Sequence, residues 1–215
     1  MSAAPSPSPS APSAPRVRPA AGAGARDDVL VVAALAVETA AVPAHLPLLL
    51  TGPGKTAAAT AVASVLAARP RGRRPLVVGV GTAGALRDGV TGLHVPARVL
   101  HHDICADALA QLGAPTTTEL ALDALPGAPA GDLVLATGDA FVTDEAVRGR
   151  LAQRAHLVDM EGFAVAWACR SLGARVVLAK HVSDGADDSA WGWADAVGAS
   201  AQALGAWLAE QLPPA

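Results

Sequence analysis

The stretch Thr51-Gly-Pro-Gly-Lys-Thr-Ala-Ala-Ala-Thr60 follows the apolar run LPLLL at 46–50 and resembles a phosphate-binding turn. A triphosphate loop of the G-x-x-x-x-G-K-[ST] type needs its first glycine five residues before Gly54. The sequence has Leu49 there, inside the apolar run, so the turn is too short to wrap a β-phosphate. What remains is a strand, a tight Gly-Pro-Gly turn and an alanine-rich helix whose N-terminus can face a polar ligand.

The same strand-then-helix unit recurs along the chain. DVLVVAAL (28–35), LPLLL (46–50) and PLVVGVG (75–81) read as buried strands, with KTAAATAVASVLAAR (55–69) as a helix between the last two. VPARVLHHD (95–103), DLVLATGD (132–139) and ARVVLAKHVSD (174–184) supply three more strands. DMEGFAVAWACRSLGA (159–174) has apolar residues at helical spacing and ends on Gly173 as its cap. The C-terminal stretch 193–212 is an amphipathic helix. Alternation without repeats predicts a three-layer αβα domain, whose ligand site gathers at the strand carboxyl ends.

Composition narrows the function classes. At 215 residues the chain suits one domain, and 52% hydrophobic with 3% aromatic residues means a core of Ala, Val and Leu. A net charge of −3 with both signs scattered gives no case for nucleic acid or an anionic membrane. The longest apolar run, Val29 to Val37, is far short of a membrane span. Cys105 and Cys169 lack metal or redox spacing and read as reduced, which suits a cytoplasmic location. Residues 1–26, rich in Ala, Pro and Ser, read as a disordered tail ahead of a domain over 27–215.

The expected strand ends carry an unusual set of residues. They are Ala36-Val37-Glu38, Thr51-Gly52, Gly81-Thr82-Ala83-Gly84, Thr137-Gly138-Asp139 and Ser183-Asp184, joined by Val158-Asp159-Met160-Glu161. Taken singly, Glu161 and Asp184 could be turn or helix N-terminal carboxylates. Taken together, acids and glycines at separate strand ends describe a polar cleft for a small neutral or cationic ligand.

Five of these segments resemble motifs of the nucleoside phosphorylase/nucleosidase superfamily. VDMEGFAVAW (158–167) is similar to its (E/V)-x-M-E-x-x-A segment, and AKHVSDGAD (179–187) to its (I/V)-S-D-x-A-D strand end. TGDAFV (137–142) resembles its purine-binding turn, GTAGAL (81–86) its G-(S/T)-A-G-(G/A)-L loop, and TGPGK (51–55) its short G-x-G-K turn. The resemblance lies nearest the 5′-methylthioadenosine/S-adenosylhomocysteine nucleosidases. It implies a mixed central sheet flanked by helices, a homodimer, no cofactor or metal, and a purine nucleoside as the small-molecule partner.

The resemblance also implies roles. Asp184 matches the acid that protonates purine N7, with Ser183 orienting it. Glu161 accepts from the ribose hydroxyls, and Met160 lies against the sugar. Glu38 matches the carboxylate that deprotonates the attacking water. Phe141 and the Val142 backbone face the base, backbone at Thr82, Ala83 and Gly84 lines the ribose side, and Trp193, rather than Trp191, covers the purine. The GPGK turn closes over the 5′ side of the sugar, with Lys55 staying on its helix.

Water or phosphate can serve as nucleophile on such a scaffold. Phosphate needs cationic clamps, and the places where the phosphorylases carry arginines hold Gly79 and the Ala36-Val37-Glu38 segment. Hydrolysis of an adenine nucleoside is the expected reaction. A phosphorylase, a futalosine-type hydrolase and a non-catalytic nucleoside-binding protein are the alternatives. The chain departs from the family pattern in four places. The segment between Glu38 and the GPGK turn is short, Asp159 stands for a glutamate, and Lys180 and His181 stand for arginine and alanine. His181 reads as a packed or solvated histidine. His101, His102 and Asp103 look like a metal cluster, but neighbouring strand residues face opposite ways, and the expectation is a structural role.

Overall fold

The computed structural model of the chain describes residues 15–125 and 132–215. Its first half runs β1 (Val17–Arg18), β2 (Val29–Ala33), β3 (Leu48–Leu50), α1 (Lys55–Ala67), the long β4 (Leu76–Ala85), β5 (Leu93–His94), β6 (Arg98–His101) and α2 (Ala106–Gln111). Then come β7 (Glu119–Ala121), β8 (Val134–Thr137), α3 (Glu145–Ala152), β9 (Leu157–Asp159), α4 (Gly162–Leu172), β10 (Val176–Asp184) and α5 (Trp193–Gln211). Among the described residues the strands form one mixed sheet of ten, in the order β1-β3-β2-β4-β9-β8-β6-β7. β10 runs parallel to β4 along its other edge, and β5 closes the free edge of β10.

The period-2 alternation of β2 sorts its side chains between two helical layers. Leu30 and Val32 join Ala58, Val62 and Leu66 of α1 and Val165 and Ala166 of α4. Val29, Val31 and Ala33 join Leu204 and Leu208 of α5. β8 divides in the same way, Leu135 toward α4 and Val134 with Ala136 toward Val147 and Leu151 of α3. Helices therefore cover both faces, and a strand covered on both sides must be apolar throughout, as the sequence is.

Two features aim the loops at one place. β4 pairs with β2 over Leu76–Gly79 and with β9 at Gly84 and Ala85, while β10 holds its opposite edge. β2 and β9 therefore diverge from a shared edge, and a cleft opens between them. The register of β10 against β4 shifts between Val182 and Asp184, so the chain bulges at Ser183. A bulge re-aims the side chain that follows it, here Asp184.

Several expectations are corrected. Gly81–Ala85, expected as a loop, is the second half of β4, because both edges there find strand partners. The expected tail 1–26 lies outside the described residues only over 1–14. From residue 15 it is folded onto the domain: Val17 and Arg18 pair with Leu49 and Leu48, and Gly24 accepts from the Ala215 amide. α2, α3, β5 and β7 were not expected from periodicity. Gly173 caps α4 in the left-handed region (φ 71°), as expected.

α5 approaches the segment after Glu38 through a glycine. A Cβ on Gly205 would lie 2.5 Å from the Ala41 Cβ and closer still to the Ala41 carbonyl oxygen. Helix propensity alone favours Gly205→Ala by about 1 kcal/mol, whereas forced backbone displacement costs about 1–3 kcal/mol. Gly205→Ala is expected to lower the urea midpoint. A raised midpoint would mean that the close approach does not hold.

Candidate active site

A cavity of about 350 Å³ fills the gap between the diverging strands. It is lined by Glu38, Thr82, Ala83, Gly84, Phe141, Val142, Met160, Glu161, Ser183, Asp184 and Trp193. The structure thus brings together every residue singled out from the sequence as a site residue. Among the described residues, none of those lining the cavity is lysine, arginine or histidine.

Asp184 sits just past the bulge of β10. Ser183 Oγ donates to its Oδ2 at 2.7 Å and the Ala186 amide to its Oδ1 at 2.9 Å. That second bond needs a hairpin-tight return, and Ala186 adopts φ 52°, the one non-glycine residue with positive φ among those described. Across the strand, a Cβ on Gly84 would come 2.9 Å from Asp184 Oδ1. Glycine at 84 is what lets the carboxyl lie against β4.

Glu38 occupies the 3-10 turn Ala36–Thr39 at the end of β2 and is only 5% exposed. Its Oε1 accepts from the Thr82 amide at 2.8 Å and the Thr82 hydroxyl at 2.9 Å, and its Oε2 from the Leu35 amide at 3.2 Å. The Thr82 amide therefore serves Glu38 rather than standing free on the ribose side.

Glu161 is at the N-terminus of α4, where the Gly54 amide donates to its Oε1 at 2.7 Å. Gly52 and Gly54 hold φ 80° and 89°, so the turn is open only to glycine. The Gly-Pro-Gly turn is thus pinned to the acid expected to hold the sugar. Lys55 begins α1, and its Nζ bonds His101 Nε2 at 2.7 Å, Asp103 at shorter range, and faces Asp139 at 3.6 Å. His101 stacks on Phe163 with ring centres 4.9 Å apart, a structural role.

Sequence reasoning missed Lys180 as a member of the site. It is buried, and its Nζ lies 2.8 Å from Asp159 Oδ2. Thr137 Oγ1 and the Gly162 amide complete Asp159 at 2.5 and 2.8 Å. A Cβ on Gly81 would touch both Glu38 Oε1 and Lys180 Nζ, at 3.1 and 3.3 Å, so glycine keeps those groups in one space. The signal available was a lysine four residues before the strand-end Asp184, directly after the apolar run Val176–Ala179. His181 packs instead on α5, bonding Ser200 Oγ at 2.9 Å.

Burial first, and then the charge of Asp159, push the Glu161 carboxyl up to about 7, against the pull of Lys180 and the Gly54 amide. Burial works against the Lys180 ammonium, but Asp159, Glu161 and Glu38 outweigh it and hold its pKa above the usual lysine value. Because the folded pKa of Glu161 lies above its unfolded value, the folded chain binds more protons between the two. Stability attributable to Glu161 is thus present below about pH 4.5 and lost as pH rises through about 7. Glu161→Gln is expected to flatten the stability profile across this window by an amount on the order of 3 kcal/mol. Urea midpoints at several pH values measure it, and parallel wild-type and variant profiles would refute the shifted carboxyl.

The model of the phosphorylase superfamily matches residues 43–210. No match was found among curated protein sequences. Among solved structures, a mutant of the Helicobacter pylori 5′-methylthioadenosine/S-adenosylhomocysteine nucleosidase with 5′-methylthioadenosine in its active site superposes with a TM-score of 0.74 at 17% identity, over 89% of this chain and 99% of that one. The futalosine hydrolase of the same organism gives a TM-score of 0.73 at 19% identity, over 86% and 96%. The Streptococcus pneumoniae MTA/SAH nucleosidase in complex with 8-aminoadenine gives 0.68 at 22%, over 84% and 98%. At these identities the superpositions speak for the fold. The match over most of the domain decides the kinship: the chain belongs to the phosphorylase superfamily.

Proposed function

We propose that the protein is a purine nucleosidase that hydrolyses the N-glycosidic bond of an adenine nucleoside carrying a neutral 5′ substituent. The observation that carries this reading is the convergence of Glu38, Glu161 and Asp184 on one cavity whose lining has no cationic side chain among the described residues. A phosphate nucleophile would bring further negative charge to a cavity lined by acidic side chains, and the nearest ammonium, that of Lys180, is already paired with Asp159. Water carries no charge and needs only a base.

The chemistry runs as one displacement. Asp184, in its acid form, gives its proton to purine N7 as the C1′–N9 bond breaks and the ribosyl carbon becomes electron-poor. Glu38 takes a proton from the water whose oxygen forms the new bond to C1′. Glu161 accepts from the ribose hydroxyls through Oε2, since the Gly54 amide holds Oε1. The products are free adenine and the 5-substituted ribose. Assembly as a homodimer and a cytoplasmic location belong to the same reading, resting on the family resemblance and on cysteines without a disulfide.

Adenine is favoured by the surroundings of Asp184. One carboxyl can serve N7 while its other oxygen accepts from the 6-amino group. A 6-oxopurine, as a futalosine-type substrate would present, needs a donor there, and the adjacent Ser183 hydroxyl is committed to Asp184. The futalosine hydrolase likeness keeps such nucleosides in the test.

Base release from 5′-methylthioadenosine, S-adenosylhomocysteine, 5′-deoxyadenosine, adenosine and inosine, with and without phosphate, tests the reading. Adenine release independent of phosphate is expected. Phosphate-dependent release of ribose 1-phosphate would make the protein a phosphorylase, and binding without release would make it a nucleoside-binding protein. Asp184→Asn is expected to lower kcat by about 10²–10⁴-fold with KM little changed. An unchanged rate would remove Asp184 from the role of acid.

A further inference from the structure

At the mouth of the cavity, Trp193 begins α5 and directs its indole inward. Its Nε1–H donates to Thr82 Oγ1 at 2.9 Å, and Thr82 Oγ1 lies 2.9 Å from Glu38 Oε1. The two bonds are not independent. An indole nitrogen only donates, so Thr82 must accept from it, and the single hydroxyl proton is left to point at Glu38. Three groups on three elements, the start of α5, the middle of β4 and the turn after β2, therefore form one directed chain.

The chain of bonds also decides which oxygen of Glu38 is free. Oε1 accepts twice, from the Thr82 amide at 2.8 Å and from the Thr82 hydroxyl, which fills its two lone pairs. Oε2 accepts once, from the Leu35 amide at the longer distance of 3.2 Å. One lone pair on Oε2 remains for a water in the cavity.

We infer that Trp193 is a positioning residue: through the Thr82 hydroxyl it locks the Glu38 carboxylate so that Oε2 is the oxygen that takes the proton from the attacking water. The inference rests on the nucleosidase reading of Glu38 as base, and it goes beyond the aromatic cover over the purine expected of Trp193. An aromatic residue without an N–H would serve as cover equally well. Only an indole directs the hydroxyl. Without that donor, the Thr82 proton can turn to its own neighbours or into the cavity, and the Glu38 carboxylate is left with only the Thr82 and Leu35 amides. Misplacing a reacting group by about an ångström can cost up to about 10²-fold in rate.

The test separates the bond from the chemistry. The chain has four tryptophans, so the indole N–H resonance lost in Trp193→Phe identifies Trp193 in ¹H–¹⁵N spectra of the substrate-free protein. Thr82→Val is expected to move that resonance upfield, Thr82→Ser to return it toward its original position, and Glu38→Gln to move it through the hydroxyl between them. An indole signal indifferent to Thr82→Val overturns the inference, whether or not the protein cleaves any nucleoside. On the nucleoside with the highest rate, Trp193→Phe is expected to lower kcat about tenfold with KM within about twofold. The Trp193→Phe, Thr82→Val double variant should be no slower than the slower single one, because both cut the same chain. A raised KM with intact kcat, or losses that multiply, would reduce Trp193 to a cover over the base. A wild-type protein that releases no base refutes the nucleosidase reading and with it the proton transfer to Oε2.

Discussion

Four carboxylates come close together at the end of this sheet, and the buried pair between Lys180 and Asp159 is what makes their gathering possible. Asp159 is 2.8 Å from the ammonium, and Glu161 and Glu38 act on the same cation without pairing with it directly. Removing two charges from water costs several kcal/mol per ion, recovered only when geometry and secondary bonds are complete. They are complete here: Asp159 also accepts from Thr137 and from the Gly162 amide, so its oxygens lack nothing. With Asp159 satisfied, the cation still lowers the cost of holding Glu161 and Glu38 beside it. Removing the lysine would leave a cluster of acids that could only stay together by taking up protons.

The other constraint is one of space. Each acid around the cavity is held by backbone amides: Glu38 by Thr82 and Leu35, Glu161 by Gly54, and Asp184 by Ala186. Backbone donors reach a carboxylate only where nothing bulky intervenes, and Gly81, Gly84 and Gly162 stand at the close approaches. The glycine- and alanine-rich sequence is therefore less a matter of flexibility than of proximity. Amides also carry no net charge, so they fix the orientation of the acids while leaving the cavity negative.

The architecture and most of the cavity lining were legible because each depended on local pattern. Apolar runs ending on acids and glycines marked the strand ends, and strand ends in a sheet of this kind share one rim. What escaped were relations between distant residues. Asp159 and Lys180 each departed from the family pattern, and each was read by itself. The structure joins them, so the shorter acid and the lysine are two halves of one change. The second half of β4 was expected as a loop from its resemblance to a family motif, whereas its glycines here admit neighbouring side chains to a strand. Short elements such as β5, β7 and α2 owe their existence to tertiary pairing, and two- or three-residue strands have no period to detect. Trp193 was read for the face of its ring and not for its N–H, which reaches Thr82.

The sequence contains only two lysines; Lys180 acts on Glu161 from beneath the cavity, and Lys55 begins the helix after the Gly54 turn. Lys55 follows the glycine whose amide holds that acid, and its ammonium is taken up by Asp103, His101 and Asp139. Lys180 lies beneath the cavity and is taken up by Asp159. Neither lines the cavity, and each already faces at least one carboxylate of its own. A phosphate entering the site would have to draw one of them from an existing pair, leaving a carboxylate uncompensated in exchange. An uncharged water makes no such demand and needs only the free lone pair of a fixed base. On the proposed reading, the choice of nucleophile rests less on a residue that binds water than on the prior commitment of both lysines.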